Sequence, residues 1–167
     1  MPQSSYTQGP ATAAFPGQKT NSGASTVATY TNGQGVDIPA GVLVSLTSDN
    51  TVQLPSTATQ QLAGVVLNQF ARDPNDMTLT NAVKAGYSCA VLENGDVWVT
   101  AEQAMAVTDK VFVRYAAGAG GTQLGAIRKD IDTASARRAS GARVRVGCSG
   151  AGPCLISFSA AADASNL

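Results

Sequence analysis

The sequence predicts an all-β protein: a small β-barrel or jelly-roll-like sandwich with an extended N-terminal arm and at most one short helix. Three observations carry that expectation. Short runs of Val, Ile, Leu and Thr recur at close spacing, each bounded by Gly, Asn, Asp or Pro, the punctuation of strands and turns. Helical patterning is confined to a single stretch of six residues. The stretch Ala85–Tyr115 concentrates the signal: Ser88–Leu92, then Glu93-Asn94-Gly95-Asp96, then Val97–Thr100 with the only Trp, Trp98. Asn-Gly between β-rich runs predicts a hairpin, because a tight primed turn needs positive φ at both central residues. A buried Trp98 would then be the largest anchor of the core.

Taken in order, residues 1–25 read as an extended arm, 26–160 as the β domain and 161–167 as a small polar tail. The arm is rich in Ser, Thr, Gln, Gly, Ala and Pro, with Lys19 its only charge, too polar to order itself. Tyr6 and Ala13-Ala14-Phe15-Pro16-Gly17 are its apolar islands, and Phe15 is the candidate anchor on a neighbouring subunit. Strands are expected at 26–31, 42–46, 51–54, 65–68, 88–92, 97–100, 111–115, 124–127, 142–147 and 154–158, with 79–84 a strand or one helical turn. Thr100–Met105 is the helix candidate, Thr100 and Gln103 standing at capping-box spacing. Residues 130–140 read as a small-residue loop carrying Arg137 and Arg138.

A faint internal echo pairs Ala40–Val44 and Leu62–Val66 with Asp109–Val113 and Leu124–Ile127, each half then ending in a hairpin, 89–99 and 143–158. Duplication and the convergence of turn-rich β sequence both account for it.

Composition bounds the function. The chain has 167 residues, enough for one core without staples, but aromatics are only 5%, so the core must be thin and some surface best buried against a partner. Charged residues are 13% and the net charge is zero, which gives no global pull toward nucleic acid or an anionic membrane. That low charge suits permanent assembly. No His is present, which removes the commonest general base and metal ligand. No signal peptide or membrane span is expected from the opening residues or the short apolar runs.

The search for chemistry returns little. Cys89 lies in a strand and reads as a buried thiol; the rival reading is a hydrolase nucleophile. Cys148 and Cys154 could face each other across a hairpin, so a disulfide is conceivable, with reduced thiols preferred. Glu93 and Glu102 are expected in solvent. Asp73 to Asp76 lacks the Gly and distal Glu of a calcium loop, and Gly118–Gly121 lacks the helix of a phosphate loop. No cofactor, metal or catalytic residue is expected. Arg143 and Arg145 share one strand face, suited either to solvent or to an acidic partner.

Several stretches together resemble the structural cement, or head decoration, proteins of tailed bacteriophages. They are Ala14–Gly17, Ala40–Val44, Leu62–Val66, Glu93–Val99, Asp109–Gly118, Leu124–Asp130 and Gly141–Val144, in that order along nearly the whole chain. The resemblance implies a non-enzymatic virion protein on the capsid exterior, made in the host bacterial cytoplasm. It would bind the major capsid protein and itself, as a homodimer or homotrimer, with no direct nucleic-acid or membrane contact. The candidate contact residues are Tyr6, Phe15, Pro16, Arg128, Lys129, Arg137, Arg138, Arg143 and Arg145. A secreted or surface adhesin-like β module is the alternative reading.

Overall fold

The structure is a computed structural model that describes residues 14–20, 23–68 and 81–164. Its axis is one strand of 14 residues, β7 (Ser88–Ala101), which runs straight through the Asn94-Gly95 pair. The expected hairpin is therefore corrected. Asn94 does not take the positive φ that a primed turn requires, whereas Gly95 has φ +134°. Gly95 serves a close approach instead: a Cβ there would stand 2.9 Å from the Ser25 Cβ. Trp98, correspondingly, is half-buried and not a core residue.

Strands pair along both halves of β7. Toward its start lie β1 (Thr26–Asn32), β3 (Leu43–Ser48), β4 (Thr51–Gln53) and β5 (Leu62–Val66). The pairing order β7-β1-β4-β3-β5-β7 closes on itself. Toward its end lie β8 (Lys110–Arg114), β9 (Ile127–Arg128), β10 (Ala136–Val146) and β11 (Gly152–Ser159). The order β7-β11-β10-β8-β9-β7 closes as well. Two small barrels thus share one strand, and closure removes most exposed edges. The short pair β2 (Ile38–Pro39) and β6 (Ala82–Val83) sits outside both rings.

The rings are built alike. In chain order, β1, β3, β4, β5 and the first half of β7 correspond to the second half of β7, β8, β9, β10 and β11. Each ring has one parallel pair, β1–β4 or β7–β9, and the other four pairs are antiparallel in the same arrangement. Details repeat. The Gly33 N–H donates to the Val52 carbonyl at 3.0 Å, and the Glu102 N–H donates to the Ile127 carbonyl at 3.0 Å. Asn50 and Gly125, with φ +56° and +79°, open the corresponding β4 and β9 segments. Cys89 and Cys154, both 0% exposed, occupy matching core positions through the pairs Tyr30–Cys89 and Val99–Cys154. The echo in the sequence is therefore a repeat of strand order, but its alignment changes. Val44, not Val42, matches Val111, a slip of two residues that keeps the same face, and β5 matches β10 instead of Leu124–Ile127.

Each barrel has its own apolar cluster. The first holds Ile38, Val42, Val44, Val52, Ala63, Val66, Val83, Cys89 and Val91. The second holds Val97, Val99, Val111, Val113, Ile127, Val144, Cys154, Ile156 and Phe158, and it also takes in Leu43, Leu62, Val65 and Leu92. Those last four come from the outer wall of the first barrel, so one barrel's outside is part of the other's core.

Three further expectations are corrected. Thr100–Met105 is not a helix: Thr100 and Ala101 finish β7, and Met105 bridges Cys148. The helix is α1 (Ala160–Ala164), in the expected tail. Its Asp163 is 0% exposed, accepting 2.6 Å from Arg137 Nη2 and 3.0 Å from the Ser140 N–H. The expected 130–140 loop becomes strand from Ala136 onward, because β8 supplies partners for Ala136, Arg137 and Arg138.

Candidate interaction surface

Val97 and Val99 of β7 point into the second barrel, so Asp96 and Trp98 point outward. In β11 Cys154, Ile156 and Phe158 point inward, leaving Leu155 and Ser157 outside. In β10 the register slips between Val144 and Val146. That bulge turns two successive residues, Arg145 and Val146, to solvent on the side already holding Arg143. Pairing aligns Trp98 with Leu155 and Leu155 with Val146, an apolar row. The adjacent row reads Asp96, Ser157, Arg143, Lys110. An open groove of about 690 Å³ runs between them, lined by Asp96, Val107, Arg143, Arg145, Val146 and Leu155. Arg145 Nε stands 3.7 Å from Asp96 Oδ2, an exposed contact of small energetic weight.

The arm extends this face by one strand. The Gly17 N–H donates to the Trp98 carbonyl at 2.7 Å, the Trp98 N–H to the Gln18 carbonyl at 3.0 Å, and the Thr20 N–H to the Asp96 carbonyl at 3.1 Å. Pro16 seats against Gly41, where any Cβ would strike it and where φ is +77°. Phe15 is left 53% exposed. The described part of the arm thus lies on its own barrel, with Phe15 lining a shallow pocket beside Leu67 and Asn68.

A second set of charges is paired within the chain. At one end of the second barrel Arg114, 0% exposed, donates to Glu102 from Nε at 2.6 Å and from Nη2 at 2.8 Å, and to Asp132 from Nη2 at 2.7 Å. Arg128 contacts Asp130 at 2.6 Å, Asp132 at 2.9 Å and Glu102 at 3.2 Å. The Glu102 hydrogen bond raises the Arg114 pKa, while burial opposes it. The Arg114 hydrogen bond holds Asp132 below the usual carboxylate range. Asp130 is held down first by Gln103 and then by Arg128. Glu102, expected in solvent, is 7% exposed. Glu93 is half-buried and accepts 2.6 Å from the Tyr30 hydroxyl, whose pKa that bond pushes up to about 12.

Of the candidate contact residues, Arg128 and Arg137 are buried in ion pairs within the chain. Lys129, Arg138, Arg143 and Arg145 are exposed. Tyr6 and the Asp73–Asp76 stretch lie outside the described residues. Sequence reasoning missed Lys110, Val107, Val146 and Leu155, since only the bulge and the pairing gather them.

The three thiols are free. Burial raises the Cys89 pKa, and burial together with Cys148 pushes Cys154 up to about 12, the reverse of what a nucleophile needs. Among the described residues no group of three or more His, Cys, Asp and Glu could hold a metal, and no helix is long and apolar enough to cross a membrane.

The family described as "Structural cement protein (E217 gp24/Pam3 gp6)" matches residues 1–162. The chain belongs to this phage structural cement family. Among solved structures, it is similar to a chain of the capsid of Myoviridae phage XM1, with 15% identity, a TM-score of 0.68, and coverage of 88% of this chain and 91% of that one. At that identity the likeness concerns the fold. The head fibre gp8.5 N base of bacteriophage phi29 aligns at 12% identity over 81% of this chain and 96% of that one, with a TM-score of 0.43. No curated protein sequence matches. The cement protein is thus a virion structural component with a β-barrel fold.

Proposed function

We propose that this cement protein binds the outside of the major capsid protein lattice and stabilises the head, as a homo-oligomer without enzymatic activity. The observation that carries the reading is the family match over residues 1–162. The shape supports it: double closure leaves a rigid body, while Phe15, Lys129, Arg138, Arg143 and Arg145 stand exposed for contact. Arg128 and Arg137 act from inside, shaping the loops and α1 that such contacts would rest on. Many copies on a closed shell would make each modest contact multivalent. The test is to add the purified chain to expanded heads stripped of it. Saturable co-sedimentation and a raised head-disruption temperature are expected. Absence of binding to intact heads would overturn the proposal.

A further inference from the structure

The repeat makes one face of the second barrel readable. In the first barrel the cross-strand row Leu43, Val65, Leu92, Val27 has its first three members 0% exposed, packed into the second barrel's core. The matching row of the second barrel is Lys110, Arg143, Ser157, Asp96. Same geometry, opposite chemistry: the first row is sealed by a neighbouring barrel, and the second is open and charged.

Its charges are arranged at a cost to the isolated chain. Lys110 and Arg143 are directly opposite each other on neighbouring strands, where like charges destabilise. The bulge adds Arg145 beside them. Among the described residues Asp96 is the one carboxylate lining this groove, and the nearby Asp109 carboxylate is turned to the Ala106 N–H at 2.8 Å. Alongside runs the apolar row of Trp98, Leu155 and Val146, a composition favoured at the centre of interfaces.

We propose that this face is where the cement protein meets the capsid, and that the capsid surface it receives bears carboxylates opposite Lys110, Arg143 and Arg145 and an apolar patch opposite Leu155 and Val146. The inference rests on the capsid-binding reading above. Capsid carboxylates would relieve the Lys110–Arg143 repulsion, so assembly would recover what the free chain loses.

The test uses full-length chain and stripped expanded heads, with binding followed by co-sedimentation at about 50 mM and about 300 mM salt. Wild type is expected to bind in a salt-sensitive way. Lys110→Glu/Arg143→Glu is expected to keep its melting temperature within a few degrees and to lose about tenfold or more in affinity. The single reversal Lys129→Glu, which lies outside this groove, is expected to lose less than the single reversal Arg143→Glu. If wild type binds and Lys110→Glu/Arg143→Glu binds equally well, this inference fails and the capsid reading stands. If wild type does not bind, the capsid reading itself fails. If the Lys110/Arg143 reversal alters only the oligomer mass in solution, the face joins copies of this chain, and the inference is overturned.

Discussion

The two barrels are the same ring of five strands made to do different things. In the first, the outward row across β3, β5 and β7 is Leu43, Val65 and Leu92, and it disappears into the second barrel. In the second, the row across β8, β10 and β11 is Lys110, Arg143 and Ser157, and among the described residues Lys110 and Arg143 are exposed and Ser157 is half-buried. Strand pairing sets where a row points, and side-chain chemistry decides whether it becomes a joint or a surface. The ends differ too. Buried Asn32 ties Val36 and Val83 at the first barrel with neutral hydrogen bonds of 2.9 and 3.1 Å. At the matching end of the second, Glu102 stands where the first has Gly33 and binds two arginines.

The largest difference between the barrels is expected at that charged end. Arg114→Ala leaves the buried Glu102 and Asp132 with Arg128 as their one remaining arginine and is expected to cost about 3 kcal/mol in chemical denaturation. The matching exposed position, Thr47→Ala, should change stability by less than about 0.5 kcal/mol. Next comes the outward row. Leu92→Ala removes a side chain sealed between the barrels and is expected to cost about 2–5 kcal/mol. Ser157→Ala, its counterpart, should stay within about 0.5 kcal/mol. Equal losses at the two positions would mean that the two rows do not differ as a sealed joint and an open surface.

Acid sharpens the comparison. Asp130 and Asp132 have folded-state pKa values below the ordinary 3.8. Their contribution is therefore present above that ordinary value and lost as pH falls through the lowered folded values. Thermal melts carried from neutral pH down to about pH 2 should show stability falling at the acidic end. Asp132→Asn should flatten part of that fall, and an unaltered profile in Asp132→Asn would remove Asp132 from the account. A smaller effect is expected at Trp98. Being half-buried on the outer face, Trp98→Ala should cost about 2 kcal/mol, short of the roughly 3–5 kcal/mol of a fully buried aromatic. A loss above that range would show that the arm docked along β7 depends on the indole.

The repeat also explains which sequence signals failed. Asn94-Gly95 has the composition of a turn. Yet β1 and β11 hold the backbone on either side of it, and a strand paired along its whole length outweighs a local preference. Thr100–Met105 has capping residues but no partner surface for a helix, whereas Ala160–Ala164 has weak signals and a buried Asp163 that fastens it to Arg137 and Ser140. Arg128 and Arg137 read as surface charge because their carboxylate partners were not visible by spacing alone. Arg137 and Asp163, for instance, lie 26 residues apart.

What the sequence determined by itself was the class of the fold, the approximate place of most of the longer strands, and the buried character of Cys89. Alternation and turn residues act within a few positions, so they can be read without knowing the partner. Tertiary structure alone decided that β7 is one strand, that five strands close twice around it, and that a bulge brings Arg143, Arg145 and Val146 to one side. Each of these depends on which distant segment lies alongside, and a pairing register is a property of two strands that neither strand carries alone.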